Sequence, residues 1–317
     1  MCCFLLRILL QLMNVNKMTW QERVEQRWKK PFDKANVASI IATISGKGPE
    51  GDKIQDAGAH VVVNISSAHI PSFCREGYKN AYEIFDEQLG RPLQIAPQSI
   101  SYQRIGGKPP KRVSQTRQEV DTALQQATGI MPDHTYFCAI EVSGCGVRFY
   151  GDICLVLKNS EIDDYTVILD RNSYDLIRSP WREEIGGDVR KCMEKVDSMK
   201  GIIADDLPPM AAYKVMERVG ERSRRLTTGE IAGNICVDED YIEVLYQHKI
   251  GVHSIAEVRM SESDAVAEAY TLVRLASDIA PDLGTLTFIE NRRHAIEVLD
   301  KHAVRVRVIT TLGRMKG

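Results

Sequence analysis

Three runs of β-branched and aromatic residues follow one another in the middle of the chain, over residues 136–142, 147–157 and 165–169. No helix-length segment separates them, so strand and helix do not alternate strictly, which favours α+β over a doubly wound parallel sheet. Gly144 and Gly146 between the first two runs predict a hairpin. Further strand-like runs cover 36–44, 60–65, 241–248 and 254–260. Helical spacing marks 19–30, 72–89, 114–128, 188–199, 209–225 and 262–279, and the chain closes with a strand over 285–289, a helix over 292–302 and a strand over 304–309. The fold class this order predicts is α+β, with mixed or antiparallel sheets and flanking helices. We divide the chain into a helical lead-in (1–36), an α+β core (37–260) and a C-terminal αβ extension (261–317).

Composition narrows the function classes. Of 317 residues, 44% are hydrophobic and 26% charged, enough apolar surface to offset ordering entropy, which excludes collagen-like, low-complexity and wholly disordered chains. The 41 basic residues against 43 acidic ones, a net charge of −2, argue against a protein whose main task is coating nucleic acid. Local basic groups remain at Lys108, Lys111 and Arg112, in a Pro- and Gly-rich connection over 91–113, and at Arg222, Arg224 and Arg225. The eight cysteines show no CxxC spacing and mostly sit in apolar stretches such as Ile153-Cys154-Leu155, as reduced core thiols do. The apolar stretch from Cys2 to Met13 is too short to span a bilayer and is interrupted by Arg7, with Met13 and Met18 as alternative starts. These features predict a cytoplasmic protein with no membrane partner.

Phosphate-loop, dinucleotide-fingerprint, HExxH and GxSxG motifs are absent from the sequence. Ser45-Gly46-Lys47-Gly48 lacks the second half of a phosphate loop, and His248 and His253 have the wrong spacing for ligands on one strand face. No metal is predicted.

Three segments carry the remaining signal. The first is a strand running from Val61 through Asn64 into Ser66-Ser67-Ala68-His69. The second is Tyr150-Gly151-Asp152 with Leu155-Val156-Leu157-Lys158, continuing into Thr166 and Asn172-Ser173. The third is Tyr241-Ile242-Glu243. The second and third resemble bacterial ADP-ribosyltransferase-like proteins, including a toxin-like branch, in which an "F/Y-G-x-hydrophobic-x-L-x-L-K" strand leads to a "T-x-T-x-G-D-S" turn and a later strand reads "Y-hydrophobic-E-x-Q". Here Asn172-Ser173 replaces Asp-Ser.

The resemblance implies an ADP-ribosyltransferase-like core that cleaves the nicotinamide–ribose bond of NAD. ADP-ribose would pass to an unidentified protein or nucleic-acid acceptor, in an intracellular toxin, effector or defence protein with an inhibitor or antitoxin partner. Glu243 takes the catalytic place, since a carboxylate aimed at the oxocarbenium-like cation stabilises the transition state more than the substrate. Ser173 supports it, and Tyr150, Asn172 and Tyr241 fall in the cofactor-binding positions. The first-strand residue that meets the dinucleotide is His69, Asn64 or His60. Tyr241 stands where arginine-modifying members carry an acidic or amide residue, which argues against protein arginine as the acceptor.

Plainer readings stand beside these. Glu243 is also compatible with an outward-facing position on an edge strand, Asn172 and Ser173 with a turn, and His69 with a loop before Pro71. Glu141, Asp152 and Lys158 on neighbouring strands would suit a metal-dependent nuclease or DNA-processing enzyme. A non-catalytic binding protein that keeps a degenerate transferase fold is the third alternative.

Overall fold

The computed structural model describes residues 34–45, 58–84, 115–163, 165–173, 198–200, 204–219, 226–236, 240–277 and 280–310. Its centre is strand β1 (His60–Ile65), whose Val61, Val62 and Val63 have the β-branched stiffness that suits a strand buried on both faces. Two antiparallel neighbours flank it, β2 (Tyr136–Glu141) on one side and β3 (Ile153–Leu157) on the other. The predicted hairpin between the second and third strands is therefore corrected: those strands never pair. Their two glycines serve close approach instead. A Cβ on Gly146, whose φ is 63°, would lie 2.4 Å from Asn64 Oδ1, because residues 142–151 are laid across the sheet.

Short strands complete the sheet: β4 (Val167–Leu169), β5 (Ser198–Lys200), β6 (Glu243–Tyr246), β7 (Ile255–Ser261) and β8 (Val306–Ile309). The eight lie in the order β5-β4-β6-β2-β1-β3-β7-β8, and every pairing is antiparallel except β7 with β8. The mixed sheet with flanking helices is the α+β class expected. β6 lies between β4 and β2 and is not an edge, which removes the outward-facing reading of Glu243.

Register separates the two faces. One row runs Leu169, Glu243, Ala139, Val62, Val156 and Glu257 across six strands. Cross-strand partners share a face, so this face also carries Glu141, Asn64 and Arg259, all buried. The alternating positions Ile168, Val244, Cys138, Ile140, Val61, Val63, Leu155 and Val258 are apolar and join the main core.

Helices follow from apolar spacing. In α1 (Lys34–Ile44), Val37, Ile40, Ile41 and Ile44 recur at helical intervals, so the strand expected over 36–44 is a helix. α2 (Ile70–Glu76) stops at Gly77, whose φ of 79° breaks the helix expected over 72–89. α3 (Gln115–Thr128) buries Val120, Ala123 and Leu124 with Val167, Leu169 and Leu245 on the polar face of the sheet. α4 (Leu207–Val219) and α5 (Thr228–Ile235) pack with α1 into the main core. The sequence reading missed α5, although Thr227 and Glu230 form a capping box there.

Near the C-terminus, α6 (Glu262–Ala276) and α7 (Leu283–Lys301) separate the parallel strands β7 and β8. The strand expected over 285–289 is the start of α7, because Asp282 caps the helix by accepting the Thr285 N–H at 2.9 Å. Buried Arg292 of α7 pairs with Asp152 at 3.1 Å and with Asp264 of α6 at 3.3 Å, and Arg148 pairs with Asp264 at 2.6 Å. The helix expected over 19–30, the connection over 91–113 and Arg222, Arg224 and Arg225 lie outside the described residues, as does most of the helix expected over 188–199, where 198–200 is strand β5.

Packing of the crossing segment yields a prediction. A Cβ on Gly151 would sit 2.1 Å from the carbonyl carbon of Ile65, a backbone atom that cannot move alone, whereas a Cβ on Gly233 in α5 meets nothing within 4 Å. Gly151→Ala should lower the unfolding free energy by about 2 kcal/mol or more. Gly233→Ala should leave it unchanged or raise it by roughly 0.5–1 kcal/mol. Urea unfolding of the two variants beside wild type measures both.

Candidate functional site

Glu243 opens β6 and is 2% exposed on the polar face of the sheet. Its neighbours in the row, Leu169 and Ala139, offer no charge, so its partners come from the chain ends around it. Just beyond β4, the backbone turns through Asp170-Arg171-Asn172-Ser173, and the Ser173 N–H donates to Glu243 Oε2 at 2.9 Å. Asn172 and Ser173 are both buried. Lys214 of α4 holds the turn in place, donating to the Asp170 carbonyl at 3.1 Å and to Asp240 Oδ1 at 2.6 Å, so one ammonium ties the exit of β4 to the approach to β6.

Two tyrosines complete the group. Tyr241 is two residues before Glu243, is buried, and shares a side-chain hydrogen bond with Tyr150. Burial and the adjacent Glu243 carboxylate push its phenol well above the ordinary range. Tyr150 sits at the end of the segment that crosses the sheet, is half exposed, and packs edge to face on exposed Phe149 with ring centroids 5.1 Å apart. The half-exposed Tyr150 thus adjoins buried Tyr241, which in turn adjoins the Glu243 carboxyl.

Helix α3 adds a guanidinium and a second carboxylate that the sequence reading missed. Arg117 lies 3.8 Å over the Phe137 ring and pairs with Asp121 at 2.7 Å, and Tyr82 donates to Asp121 at 2.5 Å. Burial raises the Glu243 carboxyl from its ordinary 4.5 to about 7, while Arg117 and the Ser173 hydroxyl and N–H pull it down and Asp121 pushes it up. The i,i+4 spacing of Arg117 and Asp121 reads on its own as an ordinary solvated helix pair. The signal lay in Val120 and Leu124, which place both residues beside the buried stripe.

The other nominated residues fall elsewhere. Asn64 is buried and uses both amide hydrogens on backbone, donating to the Cys145 carbonyl at 2.9 Å and the Gly151 carbonyl at 3.1 Å. It fastens the crossing segment and does not present a free amide to a ligand. His69 is exposed at the start of α2, beyond the end of β1, whereas the row of Glu243 crosses β1 at Val62. His60 lies beside Asn159 at 3.3 Å, at the opposite end of β1. Glu141 and Asp152 also occupy opposite ends of β1. Glu141 is opposite His60 and accepts the Val142 and Gly146 N–H groups, and Asp152 accepts the Ser67 N–H at 2.8 Å. Lys158 donates to the His253 carbonyl at 2.6 Å. Glu141 and Asp152 therefore do not converge on a shared metal position. Among the described residues, no group of three or more His, Cys, Asp or Glu is placed to hold a metal ion, no disulfide forms, and no helix is long and apolar enough to cross a membrane.

Titration of Glu243 has a consequence for stability. Below pH 4.5 its carboxyl is protonated in both folded and unfolded chains; between pH 4.5 and about 7 the unfolded chain releases the proton while the folded one keeps it. Wild type therefore loses stability as pH rises through this window, by about 1.4 kcal/mol per unit of difference and of order 3 kcal/mol in all. Glu243→Gln keeps an acceptor for the Ser173 N–H and removes the titration. Urea midpoints from pH 4 to pH 8 should show the variant gaining on wild type across the window and a constant difference above it; parallel curves would refute a buried, titrating Glu243.

Comparison of the chain with protein-family models, with curated proteins and with solved structures returned no match.

Proposed function

We propose that the chain is an ADP-ribosyltransferase-like enzyme that uses NAD as substrate and Glu243 as its catalytic carboxylate. The observation that carries this reading is the convergence of Glu243, Ser173, Asn172, Tyr241 and Tyr150, drawn from three distant stretches of sequence, at one place on the sheet. Glu243 is held by a backbone N–H whose position depends on β4, so the carboxylate has one orientation and little freedom to rearrange when charge develops beside it.

In the reaction, the bond between ribose C1′ and the nicotinamide nitrogen breaks, its electron pair leaves with neutral nicotinamide, and positive charge builds on the ribose. Ionised Glu243 stabilises that charge through the low-dielectric surroundings that burial supplies. An acceptor nucleophile then bonds to C1′ and loses its proton. The exposed Phe149 and Tyr150 rings offer flat surfaces to a nucleotide base or the nicotinamide. Because only the ionised form does this work, turnover rises with pH through the titration of Glu243, near 7 in the free protein.

The test is release of nicotinamide from labelled NAD, with and without cell extract as the source of acceptor. Glu243→Gln should reduce turnover by roughly 10²–10³-fold, in the range found for removing one electrostatic stabiliser, while leaving the NAD dissociation constant within a few fold. Equal release by wild type and variant, or none by either in the presence of extract, would overturn the assignment.

A further inference from the structure

Helix α6 has no buried residue, although it lies between two strands of the sheet in sequence. Its half-buried side mixes Ala265, Thr271 and Leu272 with charge: Asp264 pairs with Arg148 and Arg292, and Glu268 pairs with Arg293 at 2.8 Å. Its exposed side carries an apolar stripe. Val266, Tyr270 and Val273 are 61%, 63% and 66% exposed, with Ala269 beside them. These positions follow the three- and four-residue spacing of a helix–helix seam. Such a stripe on a helix otherwise fixed by ion pairs marks an interaction face.

The two valines are also placed symmetrically within the stripe. Val266 precedes Ala269 by three residues and Val273 follows Tyr270 by three, so a twofold axis through the Ala269–Tyr270 step sets each valine against the other valine of a second helix and each tyrosine against an alanine. Two opposite charges flank the stripe one helical turn out of that register, since the axis sets Glu262 opposite Ser277 and Arg274 opposite Ala265. Glu262 lies at the start of α6 and Arg274 near its end, both exposed, and among the described residues neither carries an ion pair within the chain. The Arg274 guanidinium lies 5.8 Å from the Tyr270 ring centroid, on the stripe itself. Antiparallel pairing sets Glu262 of each helix one turn from Arg274 of the other, within the span of two long side chains, and complements the helix dipoles as well.

We propose that this face is where a second copy of the chain docks, α6 against α6, antiparallel about a twofold axis. One helix pair buries less than a standard interface, so the dimer is weak, with a dissociation constant of about 10 μM. The proposal is independent of the NAD reading.

Sedimentation velocity over about 1–100 μM chain at low salt tests it. Wild type should pass from monomer to dimer across that range, and Val273→Glu should remain monomeric; this valine is exposed, so the variant folds as wild type does, which circular dichroism verifies. Glu262→Arg and Arg274→Glu should each weaken self-association about 5-fold, since each places like charges together at two symmetric positions. An equimolar mixture of these two variants should recover wild-type affinity, because both cross-pairs are then opposite in sign. A wild type that is monomeric at about 100 μM overturns the proposal, as does unimpaired association of Val273→Glu. Wild type that dimerises only after deletion of residues 1–17 overturns it in favour of an intramolecular cover. A mixture no tighter than its components overturns the antiparallel arrangement.

Discussion

The Asn64 amide, donating to the carbonyls of Cys145 and Gly151, is the interaction on which the rest of the arrangement hangs. Residues 142–151 join two strands that lie on opposite sides of β1, so they must cross the sheet, and a crossing segment carries backbone polar groups that need partners. Asn64 supplies two donors from below. Glu141 accepts N–H groups from Val142 and Gly146, and Arg259 donates to the carbonyls of Val142 and Gly144 at 3.0 and 3.3 Å. The polar stripe across this face therefore satisfies a segment that could not otherwise be buried, and Tyr150 reaches Tyr241 because that segment is held down.

This division of labour explains why buried charge concentrates on one face. The apolar face gathers helices α1, α4 and α5 into the main core, whose burial supplies the driving force for folding. The polar face adds a smaller apolar cluster under α3, and its polar groups supply direction, fixing backbone segments or other side chains. Glu243 shares with Glu141 a carboxyl raised by burial, and Glu257 differs from both. Glu257 is locked to Arg259 at 2.6 Å and to Arg307 at 3.2 Å, which holds its carboxyl below the ordinary range, whereas burial dominates at Glu243 and raises it. Two carboxylates in one row thus meet pH 7 in different states.

What the sequence revealed and what it hid follow from the range of the forces involved. Strands β1, β2 and β3 and helices α3, α4 and α6 were legible because apolar periodicity is local. The run over 36–44 misled because a short, evenly apolar segment has the composition of a strand and the spacing of a helix. Thr285 and Thr287 made the start of α7 look extended until the Asp282 cap was taken into account. The grouping of Glu243, Ser173, Tyr241 and Tyr150 was reached through family resemblance and depends on contacts across the sheet. Arg117 and Asp121 escaped notice because their position is set by how α3 lies on the polar face, and no pattern within the helix states that.

Strand order also governs the sequence of assembly. β4 has only two neighbours, β5 and β6, and never touches β2 or β3, which immediately precede it along the chain. It joins the rest of the sheet only through β6, more than seventy residues later in the chain. The Asn172-Ser173 turn hangs from β4, so the donor to Glu243 cannot settle until both strands have found each other. A nascent chain must close a long loop before its carboxylate is oriented, and a partly folded molecule can possess most of its core while lacking its site.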